Sequence, residues 1–143
     1  MKIGIVGGGI FGVTIANRLA KSHKVEIFEK NDDILKAASD VNQCRVHRGY
    51  HYPRSDTTTN EVLESEEDFI NEYKDAIMTN TENYYCISKF DSHVSSEEYV
   101  KFCKRHNLEY TKINLDLVDK NSIDVCLKVK EYLFDHEILK RKK

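Results

Sequence analysis

Apolar and polar positions set the first elements of this chain. Residues 2–6, KIGIV, form a short apolar run that predicts a buried strand. Over residues 10–21 the spacing lengthens. Ile10, Val13, Thr14, Ala16, Asn17 and Ala20 recur at helical intervals, with small residues where close packing is needed. Residues 24–28, KVEIF, alternate and predict a second strand. A strand, a helix and a strand in this order form a βαβ unit, with parallel strands and a right-handed crossover.

The pattern then loses its rhythm. Residues 30–60 read as polar and irregular and hold the single proline, Pro53. Residues 61–77 read as an amphipathic helix with Val62, Phe69, Ile70, Tyr73 and Ile77 along one face and a solvated acidic face opposite. Residues 83–88, NYYCIS, predict a strand. Ser95 to His106 predict a helix opened by SSEE, a capping box in which Ser95 and Glu98 satisfy each other's free donors. LEYTKI predicts a short strand. SIDVCLKV, with Ile123, Val125, Leu127 and Val129 on one side, is the clearest period-2 strand in the chain. Asp135 is placed to cap a final helix, which the sequence carries for barely two turns.

Composition narrows the class. With 143 residues, 40% apolar and 32% charged, the chain suits one globular domain. The run from Ile3 to Ala16 is shorter than the ~20 residues that span a membrane, and no small-residue cleavage site follows it. The formal net charge of −2 gives no reason to expect a nucleic-acid partner. The charge is uneven: residues 1–54 carry nine Lys/Arg against five Asp/Glu, and residues 55–143 carry thirteen against nineteen. The basic part coincides with the glycine-rich part, which suits an anionic ligand. Cys44, Cys86, Cys103 and Cys126 show no CxxC spacing, so the sequence points to reduced thiols in a cytoplasmic protein rather than to zinc or disulfides.

The chemistry-bearing signal lies between the first strand and the first helix. Gly7, Gly9 and Gly12 form GxGxxG. The first glycine permits the tight turn, the second lets a pyrophosphate approach the backbone, and the third lets the helix pack on the strand. The helix N-terminus offers N–H groups and a positive dipole end to phosphates. Glu29, at the end of the second strand, is suited to accept hydrogen bonds from a ribose diol and disfavours a 2′-phosphate. FAD and NAD share this fingerprint.

The segment AASDVNQCRVHRGYHYPRS that follows resembles the D-amino-acid oxidase-like superfamily of FAD-dependent oxidoreductases, the group of glycine oxidase and L-2-hydroxyglutarate dehydrogenase. The resemblance is carried by Ser39, Asn42, and the His-x-Gly-x-x-Tyr element of His47, Gly49 and Tyr52. It implies FAD as cofactor, held by Gly7, Gly9, Ile10, Phe11, Gly12, Glu29, Lys30, Ser39, Asn42 and His47. It also implies a role for His47 at the redox edge of the flavin, either as a hydrogen-bonding group or as a covalent tether. Arg45, Arg48 and Tyr52 become candidates for holding a small-molecule substrate, an amino acid or a 2-hydroxy acid that gives a hydride to the flavin. Guanidinium suits bidentate recognition of its carboxylate.

His47 and His51, four apart, could form a metal pair on a helix, but Gly49 and Pro53 disfavour a helix there, and no metal site is expected. The implied fold is α/β. A Rossmann-like FAD-binding βαβ unit with a parallel sheet occupies residues 1–82, and residues 83–143 begin a mixed α+β substrate-binding region. Members of the group are about twice this length or more. The expectation is an incomplete, poorly active chain, with a naturally shortened protein completed by self-association or a second polypeptide as the alternative. For the function, the alternative is a dinucleotide-binding module without turnover.

Overall fold

A computed structural model describes residues 1–141, with Ser39 described by its backbone alone. The chain divides into two compact units. One comprises residues 1–44 with the segment that starts at Phe134, and the other comprises Arg45–Leu133.

In the first unit, β1 (Lys2–Val6) and β2 (Lys24–Phe28) pair in parallel, Lys2 opposite Lys24 and Val6 opposite Phe28. Helix α1 (Ile10–Ala20) joins them and buries Val13 and Ala16. The βαβ unit is therefore present with the expected bounds. The expectation that KIGIV is a buried strand needs correcting. Burial alternates along both strands, and Val6 is 91% exposed while Ile3 and Ile5 are half-buried. Among the described residues α1 covers one face of the sheet, so the residues of period two divide between a covered and an open side. A short helix α2 (Ala38–Val41) follows within the stretch read as irregular. Helix α5 (His136–Arg141) buries Leu139, and Asp135 Oδ1 accepts the Ile138 N–H at 2.9 Å, the cap its position in the sequence predicts.

The second unit holds two antiparallel sheets. In one, β3 (Arg45–Val46), β8 (Tyr132–Phe134) and β4 (Ile77–Met78) lie in the order β3-β8-β4. These short strands have no readable period and were not expected. In the other, β5 (Asn83–Ser88), β7 (Ile123–Val129) and β6 (Tyr110–Ile113) lie in the order β5-β7-β6, where the alternation predicts strands. Tyr99, Phe102 and Cys103 of helix α4 (Ser96–Arg105) pack with Tyr50, Leu108, Leu127 and Val129 into the core. The capping box forms as read: Ser95 Oγ accepts the Glu98 N–H at 3.2 Å, and Glu98 Oε2 accepts the Ser95 N–H at 2.9 Å.

Helix α3 (Asp56–Glu72) starts earlier than the pattern suggested, at the cap Ser55, whose side chain accepts the Thr58 N–H. Its first turn is rich in threonine, and Thr59 is fully buried against the preceding loop. Gly49 explains why. Its φ is +93°, and a Cβ there would stand 2.7 Å from Thr59 Cγ2. The helix yields to a 3₁₀ turn at Lys74–Ala76 before Ile77. The acidic face is not wholly solvated either, because Glu66 is largely buried and its carboxylate lies 3.1 Å from Nε of Arg48.

The expectation of reduced thiols is also corrected. Cys86 and Cys126 are register partners across β5 and β7 and are joined by a disulfide. Strand register, set by a pairing across a sequence separation of 40, brings them together, and no local spacing reveals it. Cys44 and Cys103 are free.

Candidate functional site

Two constellations carry the residues singled out by sequence, one in each unit. The first is the glycine loop. Gly7 adopts φ +102°, a conformation that disfavours any residue with a Cβ, and its N–H is donated to the Phe28 carbonyl at 2.8 Å. A Cβ on Gly12 would stand 2.0 Å from the Gly7 carbonyl oxygen and 3.5 Å from Ile5 Cγ2, so the helix can sit this close to the strand only with glycine there. Gly9 differs from both. It is the N-cap of α1, with extended backbone and no side-chain cap, and a Cβ there would meet nothing within 4 Å. The protein itself does not require glycine at this point. The open space lies at a helix N-terminus whose first turn holds no acidic residue.

Glu29 borders the same loop. Its Oε2 accepts the Gly8 N–H at 2.6 Å, and its Oε1 accepts both the backbone N–H and the side-chain amide of Asn31, at 2.9 and 2.8 Å. The Asn31 and Gly8 backbone donors hold its carboxyl below the usual range, so it stays an anion. Gly8, to which the sequence pattern gave no task, is tightly confined: a Cβ would stand 3.0 Å from Ile34 Cγ2 and 3.1 Å from Glu29 Oε2. A fingerprint that counts GxGxxG skips this position. Of the other residues in this unit, Phe11 is 83% exposed, Ile10 is half-buried and Lys30 is exposed. Asn42 is exposed and its Oδ1 accepts the Cys44 N–H at 2.7 Å, which closes the turn before β3. The side chain of Ser39 lies outside the described residues.

The open cradle at Gly9, the dipole end of α1 and the anionic Glu29 fit the pyrophosphate and ribose of a dinucleotide.

The second constellation gathers around a residue the sequence analysis missed. Glu131 is buried, with a side chain exposed to 0%. Arg45 Nη1 lies 3.2 Å from its Oε2, the Tyr85 hydroxyl donates to the same oxygen at 3.2 Å, and the Arg48 N–H donates to Oε1 at 3.3 Å. His47 Nδ1 stands 3.6 Å from Oε1. Burial raises the Glu131 pKa, but His47, the Arg48 N–H and Arg45 outweigh it, and the net shift is downward. The Arg45 guanidinium also lies 5.1 Å above the Tyr85 ring. Arg45, His47 and Arg48 are thus brought together, and each faces a carboxylate already. The Tyr52 ring lies 6.0 Å from that of His47. Tyr50 is a packing residue: its hydroxyl donates to the Glu109 carbonyl at 2.6 Å, and burial pushes its pKa up to about 12. The rings of His47 and His51 are 5.7 Å apart, and among the described residues no group of three or more His, Cys, Asp or Glu is arranged to hold a metal. No helix among them is long and apolar enough to cross a membrane.

Comparison with known proteins gives a consistent picture. Residues 2–134 match the DAO family model, described as FAD dependent oxidoreductase. The chain is similar to the FAD-dependent monooxygenase kojA of Aspergillus flavus, 33% identical over 109 residues, which cover 72% of this chain and 26% of that protein. The probable FAD-dependent monooxygenase kojA of Aspergillus oryzae matches to the same extent. The FAD-dependent monooxygenase FPY4 of Fusarium mangiferae is 29% identical over 131 residues, 91% of this chain and 36% of that protein. The chain spans between 26% and 36% of the length of these relatives.

Proposed function

The chain belongs to the family of FAD-dependent oxidoreductases, whose cofactor is FAD, and from that premise we propose that its glycine loop holds the ADP half of the flavin nucleotide. The observation that carries this reading is Gly9, a glycine whose added Cβ would meet no protein atom. The pyrophosphate takes the open space at the N-terminus of α1, and Glu29 exchanges one of its present donors for the ribose diol. Lys30, Ile10, Phe11, Ser39 and Asn42 belong to the same assignment by family resemblance. His47 is assigned to the flavin ring, and Arg45, Arg48 and Tyr52 to the substrate. Residues 1–82 then serve the flavin, and residues 83–143 begin the substrate-binding part.

When bound there, FAD would supply a hydride acceptor. The substrate we assign is a small molecule with a C–H bond beside an amine or hydroxyl, an amino acid or 2-hydroxy acid. Arg48 would exchange Glu66 for its carboxylate, while Arg45 keeps Glu131 on Nη1 and would offer its other guanidinium N–H groups. A second reading, insertion of one oxygen atom of dioxygen while an external two-electron reductant takes the other to water, is favoured by the monooxygenase names of the relatives. Labelled dioxygen separates the two, because only the second puts the label into the product. The expected cytoplasmic location rested on reduced thiols, and the Cys86–Cys126 disulfide removes that ground.

Titrating the purified chain with FAD and with NAD, followed by flavin fluorescence and calorimetry, tests the assignment. FAD is expected to bind and ADP to compete with it. Preferential binding of NAD overturns it. FAD binding with neither flavin reduction by an amino or hydroxy acid nor label incorporated from dioxygen supports a binding module instead of an enzyme.

A further inference from the structure

The function proposed above gives Glu131 no task. Yet its carboxylate is the most fully engaged of the second unit, reached by Arg45, Arg48, Tyr85 and His47 from positions as far as 86 residues away. Its backbone is fixed as well, because the Asn83 side-chain amide donates to the Glu131 carbonyl at 2.7 Å. An ionised carboxylate accepts hydrogen bonds and donates none. The His47 nitrogen that faces it is Nδ1, which is buried and makes no hydrogen bond within 3.5 Å, so the Glu131 Oε1 charge at 3.6 Å acts on it electrostatically, although the His47 side chain as a whole is 38% exposed. A neutral imidazole carries one ring hydrogen. A carboxylate beside Nδ1 favours that hydrogen on Nδ1 and leaves the lone pair on Nε2.

We propose that Glu131 is the positioning residue of the Arg45–Arg48 segment: it holds His47 as the Nδ1–H tautomer, so that Nε2 is presented to ligands as a hydrogen-bond acceptor. The same carboxylate anchors Arg45 over the Tyr85 ring. One buried group thereby orients two of the residues assigned to flavin and substrate. The inference rests on that assignment for its functional meaning, whereas the tautomer itself is a property of this chain alone.

The test is long-range ¹H–¹⁵N spectroscopy of the histidine rings in the labelled full chain without FAD, at a pH where the ring is neutral. His47→Gln identifies the signals. In the unaltered chain, His47 is expected to carry its hydrogen on Nδ1. Glu131→Gln is expected to raise the Nε2–H population several-fold, and Glu131→Asp to restore the original tautomer in part. A predominantly Nε2–H ring in the unaltered chain overturns the proposal. So does an unchanged tautomer in folded Glu131→Gln protein. If that variant fails to fold, the unaltered chain decides alone. Because no flavin is present, this result is independent of the FAD titration, and either can fail without the other.

Discussion

Two carboxylates divide the labour of this molecule. Glu29 in the first unit is held by two backbone N–H groups and an amide, all from Gly8 and Asn31, at the border of an open loop. Glu131 in the second is buried and held by side chains and a backbone donor from β3, β5 and the loop after β3. The first can trade a donor for a ligand hydroxyl at small cost, because water competes for the site throughout. The second cannot give up a partner without leaving an uncompensated charge in a dry interior. Recognition suits the first arrangement and fixed orientation the second.

The largest expected effect breaks the second arrangement. Glu131→Ala leaves Arg45, the Tyr85 hydroxyl and the Arg48 N–H without their acceptor, and removal of one partner of a buried pair costs about 3–5 kcal/mol. Chemical denaturation of the chain measures it. The sign of the pH dependence follows from the lowered carboxyl pKa. Its contribution is complete above the ordinary value of 4.5 and is lost as the pH falls through the lower folded value. Acid unfolding of Glu131→Gln is therefore expected to be shallower than that of the unaltered chain. A loss of stability below 1 kcal/mol, with an unchanged acid limb, would show that Arg45 and His47 are held by something else.

The disulfide comes next. Cys86 and Cys126 close a loop across β5 and β7, and a disulfide of this kind contributes about 2–4 kcal/mol, largely through the unfolded chain. Thiol titration in denaturant without reductant should find Cys44 and Cys103 only. Adding a dithiol reductant should lower the denaturation midpoint accordingly. Four titratable thiols in the unreduced protein would refute the pairing.

The contrast between the two carboxylates also explains what the sequence could tell. The βαβ unit, Ser95 with Glu98, and Asp135 as a cap were all legible, because each depends on residues within a few positions or on one strand's period. Gly7 and Gly12 were legible for the same reason. Glu131 was not, since its partners Arg45 and Arg48 are separated from it by more than 80 residues and the strands that align them, β3 and β8, are too short to show a pattern. Cys86 and Cys126 met the same obstacle. The early start of α3 at Asp56 was missed because a run of threonines is a weak helix signal, and the Ser55 cap on the Thr58 N–H together with the packing of Thr59 against Gly49 fixes it.

Within the glycine loop, a pair of substitutions separates folding from binding. Gly12→Ala forces its Cβ against the Gly7 carbonyl, a backbone atom that cannot swing aside. A loss of about 1–3 kcal/mol of stability is expected, with loss of FAD binding as a consequence. Gly9→Ala places its Cβ in open space, on backbone that any residue adopts. Its stability should stay within about 1 kcal/mol of the original, the range of cap substitutions, while FAD affinity falls because the methyl group takes space assigned to the pyrophosphate. If both variants lose stability alike, Gly9 serves the fold, and the main support for the cofactor assignment is gone.

The smallest effect is the most specific. Glu29→Gln keeps size and shape but replaces one carboxylate oxygen by an amide donor. One of the present acceptors, toward Gly8 or Asn31, is then lost or reversed, and the amide turns to keep the other. When the amide turns to keep the buried Gly8 N–H, the orphaned donor is that of exposed Asn31, which water takes over, and the fold should hardly respond. The ribose diol has no such substitute, since it needs a charged acceptor to favour it over water. FAD affinity should fall roughly tenfold, in line with the loss of one hydrogen bond to a charged group. The decisive comparison is between FAD and riboflavin 5′-phosphate, which lacks the adenosine ribose. The substitution should weaken binding of FAD and leave that of the shorter nucleotide unchanged. An equal loss for both would mean that Glu29 acts through the shape of the glycine loop and not through the ribose.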